Sequence, residues 1–313
     1  MKVYFADTAH PSLMERLAQA GFACLMPQAL NAANASELLA DATGIVIRSK
    51  IKITAGLIEK LPQLRFIARV GAGMENIDVD FATKKGIVCL HAPEGNRNAV
   101  AEHALGMLLA LMNNLLRADR EVRQGIWKRE ENRGYELSGL TVGLIGYGNT
   151  GSAFAKLLAG FDLTVLAYDK YKTGFGGGYV KESTPERIYS EADVLSLHVP
   201  LTQETTGLVG FEMLSRFKKP VYLINTSRGP CLKTVDLLEA IDKGMVKGAA
   251  LDVLEFEDVS FEQLNAGAET YQKLLQSEKV ILSPHIAGWT FESSRRMADV
   301  LLKKILELNL LPR

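Results

Sequence analysis

The sequence predicts two tandem α/β units, each built on a doubly wound parallel sheet, and three observations predict it. Short β-branched runs alternate with helical patterns twice along the chain, a polar stretch at 123–138 parts the two series, and a last helical pattern at 291–309 has no strand after it. In the first series the strand candidates are KVYF (2–5), GIVI (44–47), RFIA (65–68) and GIVC (86–89). The stretches 11–20, 54–60 and 78–85 have room for the crossover helices that parallel strands need. Next comes NAVAEHALGMLLALMNNLLRADREV (98–122), whose apolar residues are too dense for one face; it reads as a helix buried on more than one side, at a subunit or domain interface. The second series runs TVGLI (141–145), LTVLAY (163–168), DVLSLHV (193–199), PVYLIN (220–225), KGAALDV (247–253) and KVILS (279–283). The final helix must pack on something already built, and the first unit is the expected partner. That makes the N-terminal domain discontinuous, 1–97 plus 291–313, around a second domain at 98–290, with both chain crossings forming a hinge beside a cleft. The glycine-rich GFGGG at 174–178 reads as a mobile loop and is given no chemistry.

Composition excludes several functions. A chain of 313 residues has ample length for two cores, and 36 Lys and Arg balance 36 Asp and Glu, so no global charge draws it to nucleic acid or an anionic membrane. With 47% hydrophobic and 23% charged residues it is an ordinary globular sequence. Cys24, Cys89 and Cys231 are odd in number and lack metal-ligand spacing, which suits a reducing compartment. The N-terminal apolar stretch is cut by Asp7, and no apolar run approaches the ~20 residues that span a bilayer; a cytoplasmic protein is expected.

The sharpest local signal is TVGLIGYGNTGSAFAKLLAG, where Gly146, Gly148 and Gly151 form G-x-G-x-x-G directly between a strand and an amphipathic helix. The first glycine permits a tight turn, the second admits a pyrophosphate to the backbone, and the third lets helix and strand pack closely. Amides near Asn149 and Thr150 would bind the phosphates at the helix N-terminus. Eighteen residues past Gly151, Asp169 ends the next strand, where a carboxylate can accept the adenosine ribose hydroxyls; this favours NAD over NADP, although Lys170 and Lys172 weaken the inference.

Later strands deliver further chemistry to the carboxyl edge where open α/β sheets bind ligands: Arg228 in INTSRGP, Asp252 and Glu257 in GAALDVLEFE, and His285 in SPHIAGW. A guanidinium can engage the carboxylate and carbonyl of a 2-oxo acid together, and an imidazole can exchange a proton with the hydroxyl formed there. Glu257 is the expected orienting partner of His285, with Glu255 its nearest rival, while His10, His91 and His103 read as structural.

With these residues in view, the chain resembles the D-isomer-specific 2-hydroxyacid dehydrogenase family over nearly its whole length. The motifs are RVGAGMENID (69–78), GNRNAVAEHALG (95–106), GLIGYGNTG (143–151), SLHVPLTQETTGL (196–208), NTSRGP (225–230), ALDVLEFE (250–257) and SPHIAGW (283–289). The resemblance places the family's catalytic Arg, Glu and His on Arg228, Glu257 and His285. It implies cofactor contacts from Asn149, Thr150, Asp169, His198, Val199, Pro200, Thr226, Ser227, Asp252 and the turn Ala287–Gly288. Val70, Gly71 and Ala72 match the loop whose amides hold the substrate carboxylate. A Rossmann domain inserted into a flavodoxin-like substrate domain, a cleft that closes on substrate and a homodimer built around the 98–118 helix are also implied. Two features depart from the family pattern: E-x-E-P gives way to the longer EFEDVSFEQLNAGAETYQ, and Trp289 stands after Ala287–Gly288, where it shapes the pocket or packs at the domain junction.

GIWKREENRGYEL and PEGN resemble phosphoglycerate dehydrogenases of serine biosynthesis, with hydroxypyruvate or glyoxylate reductases as the alternative. Arg48 and Lys50, with Arg129 or Arg133, would supply the cations a phosphate needs, or are solvated surface charge. The chain ends soon after its last helix, so feedback by serine through a C-terminal regulatory domain is not expected. A reading from another class is an NAD-sensing binding protein like the co-repressors related to this family; turnover separates the two.

Overall fold

The computed structural model describes residues 1–257 and 269–310, and among these the chain falls into two compact units, 1–97 with 288–310 and 98–257 with 269–287. Both are α/β with wholly parallel sheets, the expected fold class.

In the smaller unit β1 (Lys2–Phe5), α1 (Pro11–Gln19), β2 (Ala23–Leu25), α2 (Ala35–Leu38), β3 (Gly44–Ile47), α3 (Ala55–Ile58), β4 (Phe66–Arg69), α4 (Val79–Lys84) and β5 (Val88–His91) alternate along the chain. The strand order is β2-β1-β3-β4-β5, so the topology reverses between β1 and β3 and opens a switch point at their carboxyl ends. Side chains of one strand alternate between two cores: Ile45 and Ile47 join Leu39, Ile53 and Ile67 on one face, and Val46 joins Phe5, Phe66 and Leu13 on the other. Burial on both faces explains why these strands read as continuous apolar runs.

The larger unit carries α5 (Pro93–Met112, which begins in the smaller unit), α6 (Leu115–Arg123), β6 (Thr141–Ile145), α7 (Asn149–Leu158), β7 (Thr164–Tyr168), β8 (Val180–Glu182), α8 (Pro185–Glu191), β9 (Val194–Leu197), α9 (Phe211–Ser215), β10 (Val221–Asn225), α10 (Thr234–Asp242), β11 (Val246–Leu251), α11 (Glu269–Gln276) and β12 (Val280–Leu282). Its strand order, β12-β11-β10-β9-β6-β7-β8, again reverses once, between β6 and β9. Leu223 and Val221 face one core while Tyr222 and Ile224 face the other, and α5 lays Ala101, Ala104, Leu108 and Met112 on that second core. The last helix, α12 (Phe291–Glu307), opens with a Thr290–Ser293 capping box and packs Met297, Leu301 and Ile305 with Val3 and Leu17 of the smaller unit.

One expectation changes, and two features are added to it. The 98–122 segment is two helices, not one: they are bent by 61° at a break where Asn114 takes a left-handed φ of 53°, a conformation asparagine tolerates. The 174–178 stretch is a built turn: Phe175 stacks on Tyr147 at 4.4 Å, and Gly177 exchanges backbone hydrogen bonds with Val180. Finally, β2 and β8 are three-residue edge strands with too little alternation to be seen in the sequence. No single helix among the described residues is long and apolar enough to cross a membrane, and they contain no group of metal-ligating side chains.

Gly44 is where β3 and β4 touch most closely: a Cβ there would lie 2.1 Å from the ring of fully buried Phe66. Gly44→Ala is therefore expected to lower the stability of the smaller unit by about 1–3 kcal/mol. An unchanged urea transition would show that the ring can swing aside.

Candidate active site

The chain turns within three residues between β6 and α7. Gly146 has φ +94°, and a Cβ on it would sit 2.4 Å from the His198 carbonyl oxygen; a Cβ on Gly151 would sit 2.2 Å from the Gly146 carbonyl oxygen. Neither position admits a side chain. Gly148 differs, because a Cβ there meets no protein atom within 4 Å, and no side chain caps α7. The first-turn amides of Asn149 and Thr150 thus lie at a helix N-terminus suited to an anion. Asp169 follows β7, its Oδ2 accepting the Tyr147 N–H at 2.8 Å and its Oδ1 those of Tyr171 and Lys172 at 2.9 and 3.0 Å. This cradle fits a dinucleotide: glycines close the turn, amides await the pyrophosphate, and a fixed carboxylate stands at the ribose end.

The His198 side chain is buried, and its Nδ1 has no partner among the described residues. Its Nε2 lies 2.9 Å from Ser196 Oγ, its ring is 5.4 Å from that of Phe154, and burial pushes its pKa down to about 3. It is a neutral wedge beneath the glycine turn, while Val199 and Pro200 carry the chain on toward solvent.

Three adjacent strands bring the remaining residues to one edge. After β10, Asn225 is fully buried and locks the turn: its Oδ1 accepts the Ser227 N–H and hydroxyl at 3.0 and 2.7 Å, and its Nδ2 donates to the Arg228 carbonyl at 3.0 Å. The Arg228 guanidinium donates to the Ser227 carbonyl at 2.6 Å. Thr226 is buried and its Oγ1 has no partner among the described residues, a polar atom in want of a ligand. Gly229 lets this turn press on the next one, since a Cβ there would fall 2.0 Å from the Leu254 carbonyl oxygen.

After β11, Asp252 is 1% exposed and organises the turn beyond β12. Its Oδ1 accepts the Ser283 hydroxyl at 2.5 Å and the Ile286 N–H at 2.9 Å, its Oδ2 the Ala287 N–H at 2.8 Å, and its carbonyl the His285 N–H at 2.8 Å. His285 is held there with φ +54°, a left-handed conformation costly for a residue with a Cβ. Its Nδ1 lies 2.6 Å from Glu257 Oε2, and the Leu254 N–H donates to Glu257 Oε1. Both side chains are largely sheltered. With Nδ1–H donated to Glu257, a neutral imidazole presents Nε2 as its proton acceptor. Glu257, not Glu255, is therefore the partner; the longer segment that follows, at 258–268, lies outside the described residues.

Sequence reasoning set His103 aside as structural. It projects from α5 to Ser283, Nε2 to Oγ 2.8 Å, and stands 3.5 Å from Asp252 Oδ1, so it and Ser283 brace the turn that carries His285. A polar side chain inside an apolar helix was the available signal; Asn225, two residues before Ser227, was another.

In the smaller unit, Arg48 and Lys50 follow β3 at the switch point. Asp7, two residues past the end of β1, accepts the Ser49 and Lys50 N–H groups at 2.7 and 2.8 Å. Burial alone would raise its pKa, but these amides, that of Thr8 and the Arg48 charge outweigh it and hold the carboxyl below the ordinary value. The Arg48 guanidinium lies over the Trp289 ring, 3.5 Å from its centroid. In the 70–72 loop the Ala92 N–H donates to the Gly71 carbonyl at 2.8 Å, and His91 Nδ1 meets the Ala72 carbonyl at 2.6 Å, the structural role expected of His91. Arg133 is drawn into a surface pair with Glu130, both exposed, which leaves solvated charge as its account.

Residues 105–287 match the family model described as the NAD-binding domain of the D-isomer-specific 2-hydroxyacid dehydrogenases. A hydroxypyruvate reductase of Thermotoga maritima is 37% identical over 86% of this chain and 85% of its own length. A D-3-phosphoglycerate dehydrogenase of Bacillus subtilis is 35% identical over 88% of this chain, which spans 51% of that relative. The crystal structure of a D-lactate dehydrogenase from Aquifex aeolicus, complexed with NAD and lactic acid, superposes with a TM-score of 0.83 at 29% identity, covering 99% of this chain and 95% of that one.

Between its ordinary value of 6.5 and its folded value of about 3, His198 takes a proton in the unfolded chain that the folded chain refuses. Stability is thus expected to fall as pH drops through 6.5, and His198→Asn to flatten that part of the slope. Equal slopes for both proteins in urea titrations from about pH 7.5 to 5 would remove His198 as a source of acid sensitivity.

Proposed function

Because the chain belongs to the D-isomer-specific 2-hydroxyacid dehydrogenase family and carries its NAD-binding domain, we propose that it oxidises a D-2-hydroxy acid to the 2-oxo acid, and reduces it back, with Arg228, Glu257 and His285 as catalytic residues. The observation that carries this reading is the Glu257–His285 contact of 2.6 Å at the end of a strand adjoining that of Arg228. Bound NAD supplies the two-electron acceptor that takes the hydride from C2. In oxidation His285 Nε2 receives the C2 hydroxyl proton, and in reduction it returns one to the forming alkoxide, typically a 10²–10⁴-fold effect. Glu257 keeps Nδ1 protonated and the ring oriented. Arg228 offers a planar fork to the carboxylate and the C2 oxygen, with charge-assisted hydrogen bonds worth ~1.5–3 kcal/mol. Asn149 and Thr150 amides, Asp169, the orphan Thr226 hydroxyl, Ser227 and the Asp252-anchored Ala287–Gly288 turn are the proposed cofactor contacts.

For the substrate we propose D-3-phosphoglycerate, with phosphohydroxypyruvate as product. Supporting it are Arg48, held flat on Trp289, and Lys50 beside it, as cations for the phosphate; in the 70–72 loop the Val70 and Gly71 N–H groups are given to the Ile47 and Arg69 carbonyls at 2.7 and 3.0 Å, so the Ala72 amide is the one proposed for the carboxylate. The likeness to the Thermotoga reductase over most of its length favours a second reading, reduction of hydroxypyruvate or glyoxylate. A homodimer is part of the proposal, supported by the exposed Leu115, Leu116 and Val122 of α6 and by Trp127 beyond it.

NADH oxidation with phosphohydroxypyruvate, hydroxypyruvate and glyoxylate is expected to be fastest with the phosphorylated acid, and Arg48→Gln to raise KM for that acid alone. Preference for unphosphorylated hydroxypyruvate would replace the substrate while keeping the reaction. His285→Ala should cut kcat by about 10²-fold or more and leave NADH binding intact; absence of turnover with every acid would favour the NAD sensor.

A further inference from the structure

Asp169 argues for NAD, but the two lysines that follow it could each answer a ribose 2′-phosphate. The structure engages both. Lys172 turns its Nζ toward the Tyr147 carbonyl at 3.4 Å. Lys170 pairs its Nζ with Glu204 Oε2 at 2.7 Å, and the same carboxylate oxygen accepts the Tyr171 hydroxyl at 2.7 Å. Glu204 comes from the turn after β9, on the other side of β6 from the Asp169 strand. That turn is itself built: Thr205 Oγ1 accepts the Thr202 N–H at 2.8 Å and donates to the Pro200 carbonyl at 2.6 Å, and Thr206 Oγ1 donates to the Thr202 carbonyl at 2.8 Å. Glu204 is thus presented from a shaped platform rather than from a loose loop.

We propose that Glu204 is a cofactor-specificity residue, which engages Lys170 and so withholds it from a 2′-phosphate. Asp169 would repel that phosphate directly; Glu204 engages the cation that adjoins Asp169 in the chain. All three side chains of the Lys170–Glu204–Tyr171 cluster are exposed, so the pair adds little to folding, and its consequence lies in where the Lys170 ammonium is held. The proposal concerns the nucleotide end of the site and is independent of which acid is reduced.

The test reads binding without substrate: NADH and NADPH are titrated into the full chain and followed by nicotinamide fluorescence. Glu204→Gln is expected to tighten NADPH about three- to tenfold while NADH stays within about twofold. Lys170→Met should leave NADPH affinity unchanged when Glu204 is present and cancel the gain when Glu204→Gln is present, the signature of coupled sites. The same cycle in an Asp169→Ser background, where direct repulsion is relieved, brings weak NADPH binding into range. No tightening in either background, or a gain that survives Lys170→Met undiminished, overturns the assignment.

Discussion

The candidate active site depends on the buried Asp252 carboxylate. A chain leaving β12 has its peptide groups at the end of a sheet, where they must find acceptors or lose the free energy of their water contacts. Asp252 supplies them for Ile286 and Ala287, takes the Ser283 hydroxyl, and lends its carbonyl to His285. His103 completes the set through Ser283. With these bonds in place the backbone at 285 has little freedom, and the imidazole reaches Glu257 from a fixed Cα. The backbone that carries the imidazole is thus positioned by a residue whose own side chain does not touch it.

The parallel sheets explain why so many polar groups collect at one edge. Every strand of a parallel sheet ends on the same side, and two-sided burial leaves the strands themselves little room for polar residues. Chemistry is displaced to the positions just past each strand, and the closeness of neighbouring strands then brings those positions together. Glycine sets how closely. At Gly146, Gly151 and Gly229 an added Cβ would lie within 2.4 Å of a carbonyl oxygen from a neighbouring turn, so the turns at this edge are packed backbone to backbone. The arrangement is a property of contacts as much as of the reactive side chains.

What the sequence made legible follows the same division. Central strands such as β3, β6 and β10 are plain in it because burial on both faces leaves long apolar runs, and the residues just after them are plain because polarity resumes abruptly. Edge strands β2 and β8 have no such contrast. The bend between α5 and α6 was hidden because asparagine is compatible both with a helix and with the left-handed residue that interrupts one. Within the site, the meeting of Glu257 and His285 could be anticipated from their strand ends. The partners of Asn225, His103, Ser283 and Asp7 could not, since each depends on which groups lie opposite once the chain is folded, even where polarity in an apolar setting marks the residue itself. The stacking of Arg48 on Trp289 joins residues 241 positions apart, and no local pattern announces it.

The left-handed backbone at His285 also bears on how the protein can evolve. Glycine or asparagine would adopt that conformation at lower cost, by roughly 1–2 kcal/mol for glycine, so the most comfortable residue for the turn is not histidine. Selection for durability alone would drift away from imidazole at this site. An imidazole here therefore carries a backbone cost that glycine would not, and a route to a hardier protein that keeps the His285–Glu257 contact must find its gains in the cores.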